Sequence, residues 1–198
     1  MVRNIYLIRH AAVIKPKEKS YIGSTELMLS SNGIYQARRL SQIFSQMPIQ
    51  GIYCSSLIRA VSTAEIIAGR CNKLYSEVEG LNEISLGEWE GKSFREIKES
   101  FPEEYIKRGM DIFNYKTPGG ESFCQLQERS YIAFEEILDS SEGDILIVGH
   151  SGTNKVILSK ILGRSLQECF KIEQKYGCIN LIKKYEDNYT VLKSMMVS

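Results

Sequence analysis

The sequence is poor in histidine, tryptophan and proline, with two, one and four of these residues among 198. It also lacks an apolar run long enough to span a membrane. Its formal net charge is only +1, because 25 lysines and arginines are balanced by 24 acidic residues. A chain without a strong positive field has no general attraction for nucleic acids or acidic membranes. We therefore expect neither as a partner, and any anion site must come from a local cluster of cations.

Cysteine spacing and short motifs exclude further classes. The five cysteines are an odd number and contain no Cys-x-x-Cys pair, so we interpret them as reduced thiols and expect no zinc site. The apolar run Ile5–Ile8 is too short for the core of a signal peptide, which favours a cytoplasmic location. Neither GxGxxG nor GxxxxGK[ST] occurs, so we expect no nucleotide cofactor, and no other cofactor or metal is indicated.

Short apolar strands alternate with amphipathic helices along the chain. This alternation predicts an α/β fold: a three-layer sandwich with a mostly parallel central sheet, to which a final hairpin adds an antiparallel edge. A length of 198 residues fits one domain, 1–198, in which 84–120 form a smaller helical cap. The predicted strands are 3–8, 51–54, 144–148, 178–183 and 189–193, the last two joined by a turn at 187–188. The predicted helices begin near 31, 57, 93, 121 and 153.

Both histidines directly follow predicted buried strands. Arg9 and His10 come after the first strand, and Gly149 and His150 come after the strand at 144–148. The carboxyl ends of parallel strands meet at one edge of a sheet, where ligands bind. One histidine alone is often a packing residue. Two in equivalent topological positions indicate a shared site.

Two arginines are expected at the same edge. Arg59 falls in the first turn of the helix after strand 51–54, where a cation opposes the helix dipole unless an anion is bound nearby. Arg9 provides a second fixed charge, and the guanidinium fork suits phosphate oxygens. The sequence therefore predicts a phosphate site. Lys15–Lys19 and Arg108 are either contacts for the distal part of a ligand or solvated surface.

The chemistry of such a site requires a nucleophile and an acid. A neutral imidazole is a good nucleophile, and nearby arginines disfavour its protonation. We expect one ring nitrogen of His10 to face phosphorus while a backbone carbonyl in 10–13 holds the other. A leaving alkoxide needs a proton donor. Glu83 is favoured because its apolar neighbours would stabilise the protonated form, with Glu88 and Glu90 as rivals.

These residues carry a resemblance to a known family. Leu7-Ile8-Arg9-His10 resembles the opening motif of the histidine phosphatase (phosphoglycerate mutase-like) superfamily, and the match continues in order through 55–60, 81–91, 118–122 and 148–153. The resemblance implies a phosphoglycerate mutase-like fold and a metal-independent phosphatase acting on a small phosphorylated metabolite. It implies that the phosphoryl group is carried on His10 and bound by Arg9, Arg59 and His150, that Glu83 is the proton donor, that Glu121 supports the pocket, and that Ser151, Ile22 and Gly23 contribute to substrate binding.

The sequence departs from the family pattern after His10. Ala11, Ala12 and Val13 stand where members often have Gly-Glu-Thr, and Pro16 stands where they often have Asn. Pro16 and the stretch 170–178 are more similar to the α-ribazole phosphatase branch, which implies α-ribazole 5′-phosphate and cobalamin biosynthesis. Phosphoserine or a sugar phosphate stays open as the substrate. The oligomeric state, including a homodimer, stays open too.

Three other functions fit the sequence less well than a phosphatase. A serine hydrolase is disfavoured because Thr153 replaces the second glycine of a nucleophile elbow and no histidine follows Ser151. A non-catalytic phospholigand-binding module would need neither His10 nor Glu83. A mutase calls for more enclosing structure than this compact middle region offers.

Overall fold

The computed structural model describes residues 2–186 and 188–195. Within them, one sheet has the strand order β3-β2-β4-β1-β5-β6. β1, β2, β3 and β4 run parallel, β5 pairs antiparallel with β1, and β6 pairs antiparallel with β5. The predicted mostly parallel sheet with an antiparallel edge is therefore confirmed. The strands are β1 Val2–Arg9, β2 Ile49–Cys54, β3 Ser76–Glu77, β4 Asp144–Gly149, β5 Ile179–Tyr185 and β6 Asn188–Met195.

Helices cover both faces of this sheet. Along β1, Tyr6 and Ile8 point into a core shared with the first two helices, while Ile5 and Leu7 point into a core shared with the last two. This alternation is the period-two pattern of a strand buried on both sides, and it produces the predicted three layers. The helices are α1 Ser31–Phe44, α2 Ile58–Cys71, α3 Phe94–Ser100, α4 Pro102–Met110, α5 Phe123–Asp139 and α6 Ser151–Ile161.

Local signals explain the starts of three helices. Ser122 and Gln125 form a reciprocal capping box at the start of α5. Pro102 occupies the first turn of α4, where its missing N–H does no harm. Ser93 accepts a hydrogen bond from the Glu96 N–H, which starts α3 at the predicted place. The predicted turn at 187–188 lies partly outside the described residues, because it includes Asp187.

The segment 84–120 contains α3 and α4 and packs through a third apolar cluster that includes Trp89 and Ile97. Gly87 has a φ of +52°, and a Cβ there would lie 2.1 Å from the Pro118 carbonyl oxygen. This close approach joins the two ends of the segment. Its assignment as a cap within one domain stays a prediction. Among the helices of the described chain, none is long and apolar enough to cross a bilayer.

Candidate active site

The carboxyl ends of β1, β2 and β4 bring the predicted site residues to one edge of the sheet. The His10 N–H donates to the Gly149 carbonyl at 3.0 Å, and the Ser55 N–H donates to the Val148 carbonyl at 3.0 Å. The imidazole rings of His10 and His150 consequently lie with their centroids 5.1 Å apart. The side chains are 3% and 0% exposed, respectively. The two histidines are therefore close neighbours in a buried environment.

The protonation state of His10 follows from one contact. Its Nδ1 lies 2.8 Å from the backbone oxygen of Ala11. A carbonyl oxygen can only accept, so Nδ1 carries the hydrogen and Nε2 presents a lone pair. Burial, followed by the positive charges of Arg9 and Arg59, lowers the pKa of His10 well below its ordinary value. His10 is thus a neutral imidazole with a bare Nε2.

Arg59 is held in place by three acceptors. Its Nη1 donates to the Thr25 carbonyl at 2.7 Å, its Nη2 to the Gly23 carbonyl at 2.6 Å, and its Nε to Nδ1 of His150 at 3.2 Å. The side chain is 3% exposed. Burial lowers the pKa of Arg59, and the charge of Glu83 opposes that shift. The remaining N–H groups of this fixed fork are available to an anion.

Arg9 approaches His10 from the other side. Its Nη1 donates to the Gln174 carbonyl at 2.6 Å, and its guanidinium carbon lies 3.9 Å from the centroid of the Tyr176 ring. The same ring lies 5.5 Å from the His10 ring, measured between centroids. In the described part of the chain, the buried Nε of Arg9 has no hydrogen-bond partner. Sequence reasoning did not predict a site role for Tyr176 or Gln174.

Glu83 contacts the start of α6. Its carboxylate accepts the N–H groups of Gly152 at 2.8 Å, Thr153 at 3.1 Å and Ile84 at 3.1 Å. A Cβ on Gly152 would lie 2.4 Å from Oε1 of Glu83, so a larger residue there would displace the carboxyl group from this position. The sequence drew attention to the apolar neighbours of Glu83. The structure adds a set of backbone donors at a helix N-terminus, which fixes the direction of the carboxyl group.

The two rival carboxylates have other surroundings. Glu88 is exposed. Glu90 accepts hydrogen bonds from the backbone N–H groups of Gly23, Ser24 and Thr25. It also accepts from the side-chain hydroxyls of Ser24 and Thr25. The carbonyls of two of these residues, Gly23 and Thr25, hold Arg59. Burial raises the pKa of Glu90, but the hydrogen bonds from Thr25 and its neighbours outweigh this and leave the pKa below its ordinary value. Glu90 is therefore ionised, and its hydrogen bonds hold the 23–25 loop in place.

Replacing Glu90 with alanine is expected to lower the free energy of unfolding by about 2 kcal/mol, because several partly buried donors lose a charged acceptor. Urea denaturation measures this, and Glu88→Ala is the matched control, expected to change stability by less than about 0.5 kcal/mol. A depressed pKa stabilises the fold above the ordinary glutamate pKa, and that stability is lost as pH falls through the folded-state value. The acid limb of the stability curve should therefore flatten in Glu90→Ala. Equal stability of the two variants would contradict the claim that Glu90 stabilises the 23–25 loop.

Glu121 supports the site through a partner that the sequence did not reveal. Its carboxylate accepts from Nε of Arg129 at 2.9 Å and from Nη2 at 2.6 Å. Arg129 also donates to the Glu83 carbonyl at 3.2 Å and to the Gly80 carbonyl at 2.9 Å. Glu121 thus orients a guanidinium that fixes the backbone of Glu83. Arg129 lies on α5 and carries no local sequence signal of this role.

A cavity of about 350 Å³ opens over His10. Ile22 lines it together with Arg9, Arg59 and Tyr176, and Lys15, Lys17 and Lys19 form its outer wall. Gly23 contributes through its carbonyl on Arg59. Ser151 is the first residue of α6 and is half-buried.

A second cavity of about 340 Å³ adjoins the first, because Ser20 and Ile22 line both. Its other walls include Tyr105 and Arg108. The two cavities together offer room for a phosphoryl group and for the rest of a small ester. Within the described residues, no group of three or more His, Cys, Asp or Glu side chains is placed to hold a metal ion.

A neutral imidazole beside two fixed guanidinium groups, at the carboxyl edge of a parallel sheet, is the arrangement of a histidine-based phosphoryl-transfer site. Comparison with known proteins agrees with this class. The profile of the histidine phosphatase superfamily (branch 1) matches residues 5–196. The chain belongs to that superfamily.

Individual relatives are distant but cover nearly the whole chain. "Putative phosphoserine phosphatase 2" of Hydrogenobacter thermophilus is 28% identical over 191 residues, covering 96% of this chain and 94% of that protein. The structure of Bacillus stearothermophilus YhfR is 29% identical with a TM-score of 0.85, covering 95% of this chain and 94% of the other. The α-ribazole phosphatase from Shigella flexneri is 24% identical with a TM-score of 0.88, covering 96% and 94%, and at this identity it shows the shared fold.

Proposed function

We propose that this protein is a phosphatase that hydrolyses a small phosphate monoester through a phosphohistidine on His10. One observation carries the proposal: the Ala11 carbonyl fixes the hydrogen on Nδ1 of His10, so Nε2 is free to attack. Arg9 and Arg59 flank that ring and supply donors for the phosphoryl oxygens. A site that only bound phosphate would need no nucleophile in this state.

The first step forms a bond between Nε2 of His10 and phosphorus and breaks the bond from phosphorus to the leaving oxygen. In the substrate complex Glu83 is protonated; the leaving alkoxide takes that proton, and Glu83 becomes a carboxylate. The guanidinium groups of Arg9 and Arg59 stabilise the charge on the equatorial oxygens. Nδ1–H of His10 donates to the Ala11 carbonyl throughout, which supports the positive charge that develops on the ring.

The second step reverses the role of Glu83. Its carboxylate takes a proton from water, the resulting hydroxide attacks phosphorus, and the electron pair of the breaking P–N bond returns to Nε2 of His10. Inorganic phosphate leaves, and the site regains its starting protonation. The backbone donors from Gly152 and Thr153 hold the carboxyl group in one orientation for both transfers.

We infer that the substrate is a small metabolite in the cytoplasm, with α-ribazole 5′-phosphate favoured by the resemblance of Pro16 and 170–178 to that branch. The second cavity supports a leaving group with a ring, because Tyr21, Phe94 and Tyr105 line it. Phosphoserine and a sugar phosphate are the alternatives. The cap formed by 84–120 would cover this part of the ester.

The test is a kinetic panel on the purified protein. p-Nitrophenyl phosphate should be hydrolysed at the same rate with and without EDTA. Among α-ribazole 5′-phosphate, phosphoserine, 3-phosphoglycerate and fructose 2,6-bisphosphate, the first should give the highest kcat/KM. Tight phosphate binding without hydrolysis of any ester would contradict a phosphatase and favour a binding module. Isomerisation of 3-phosphoglycerate in place of hydrolysis would favour a mutase.

A further inference from the structure

A buried chain of hydrogen bonds connects Asn82 to Arg59 through two side chains. Oδ1 of Asn82 lies 2.7 Å from Oγ of Ser55, and Oγ of Ser55 lies 2.7 Å from Nε2 of His150. Nδ1 of His150 lies 3.2 Å from Nε of Arg59. Ser55 and His150 are fully buried. The chain therefore runs from the residue before Glu83 to the phosphate-binding arginine without contact with solvent at its centre.

The direction of this chain is fixed at the Asn82 end. The backbone N–H of Ser56 donates to the same Asn82 atom at 3.0 Å, and a backbone N–H can only donate, so that atom is the amide oxygen. An amide oxygen only accepts, so the hydroxyl hydrogen of Ser55 points to Asn82. Oγ of Ser55 must then accept from Nε2 of His150, which places a hydrogen on Nε2.

The direction is fixed independently at the other end. Nε of Arg59 is a donor only, so Nδ1 of His150 accepts and carries no hydrogen. Burial, followed by the electrostatic interaction with the His10 ring and by the positive charges of Arg59 and Arg9, lowers the pKa of His150 well below its ordinary value and keeps the ring neutral. Both ends thus demand the same tautomer. It is opposite to that of His10, whose hydrogen is on Nδ1.

We propose that Asn82, acting through Ser55, sets the tautomer of His150 so that His150 serves as the acceptor that aims Arg59. Asn82 and Ser55 are then positioning residues, which act through His150 to fix the direction of Arg59 in the free protein. The kinetic part of this inference rests on the proposed phosphatase function. The tautomer does not, because it is a property of the free protein.

The test uses ¹⁵N-histidine labelling and long-range proton–nitrogen correlation of the ring signals. The chain has only two histidines, so His10→Asn identifies the signals of His150. The wild type should show His150 protonated at Nε2 and His10 protonated at Nδ1. His150 protonated at Nδ1 in the free wild-type protein would overturn the proposal.

Three variants test whether Asn82 sets the tautomer of His150. Asn82→Ala removes the acceptor of the Ser55 hydroxyl, which can then donate to Nε2, so His150 should shift toward the Nδ1–H form. Arg59 then loses an acceptor, and kcat/KM for p-nitrophenyl phosphate should fall about tenfold, as for one lost hydrogen bond. Asn82→Asp keeps an acceptor oxygen and should restore the Nε2–H form. Ser56→Ala is the matched control: it removes a hydroxyl that contacts Asn82 and keeps the backbone N–H.

The outcomes separate the claims. Unchanged His10 signals in Asn82→Ala would show that the fold is intact. An unchanged His150 tautomer in that variant would overturn the proposal, whatever the loss of activity. If the wild type shows the expected tautomers but has no phosphatase activity, the role of Asn82 and Ser55 is supported and the proposed function is contradicted.

Discussion

Replacing His10 with alanine should remove turnover almost completely, by a factor of roughly 10⁴ or more, as expected when a covalent nucleophile is lost. No other side chain presents a bare imidazole nitrogen to the cavity, within the described residues, because both ring nitrogens of His150 have partners. Steady-state hydrolysis of p-nitrophenyl phosphate measures the effect. Arg9 and Arg59 stay in place in this variant, so it should still bind inorganic phosphate.

Phosphate binding by His10→Ala is the internal control, since it shows that Arg9 and Arg59 still form the anion site. A residual activity within a hundredfold of wild type, in a variant that binds phosphate, would mean that water attacks phosphorus directly. The pH dependence of the wild type offers a further check. Because burial and the charges of Arg9 and Arg59 lower the pKa of His10, kcat/KM should not fall with a one-proton slope around the ordinary value of 6.5.

The second large effect is expected from Arg59→Ala. Losing one preorganised donor should cost on the order of 3 kcal/mol of transition-state stabilisation, which is a loss in kcat/KM of about a hundredfold. The structure gives the reason: the guanidinium is buried and fixed by Gly23, Thr25 and His150, so no reorganisation is needed when charge develops. Stopped assays on p-nitrophenyl phosphate measure the loss.

Two comparisons sharpen that prediction. Arg59→Lys keeps a positive charge but not the planar fork, so it should recover only part of the activity. Arg38→Ala removes an exposed arginine on α1 and should leave kcat/KM unchanged. A loss of less than tenfold in Arg59→Ala would show that Arg59 does not contact the reacting phosphoryl group.

The fold was largely predictable because its signals are local. Alternating apolar strands and amphipathic helices predict layers, and Pro102 and Ser122 mark boundaries through their own backbone chemistry. Sequence spacing indicates less where exposure depends on tertiary packing. Ile34 continues the helical spacing of α1 with Ala37 and Leu40, yet it is 39% exposed. Spacing alone does not show how wide the buried stripe of a helix is.

The site was predictable only in its main side chains. Residues that directly follow parallel strands, such as His10 and His150, share an edge by topology, so their proximity follows from the fold class. Arg129 and Tyr176 could not be found in this way. Each reaches the site across a long separation in sequence, from a helix or loop whose local pattern is ordinary. Their roles depend on contacts with Glu121 and Arg9 that no spacing rule encodes.

The central claim is that the phosphoryl group is transferred to Nε2 of His10. The most direct measurement mixes the protein with radiolabelled p-nitrophenyl phosphate, quenches in alkali, where phosphohistidine survives, and maps the label to a peptide. We predict label on the peptide containing His10 and none in His10→Ala. Label on any other residue, or turnover without a trapped intermediate under conditions where its formation outpaces its hydrolysis, would contradict the account.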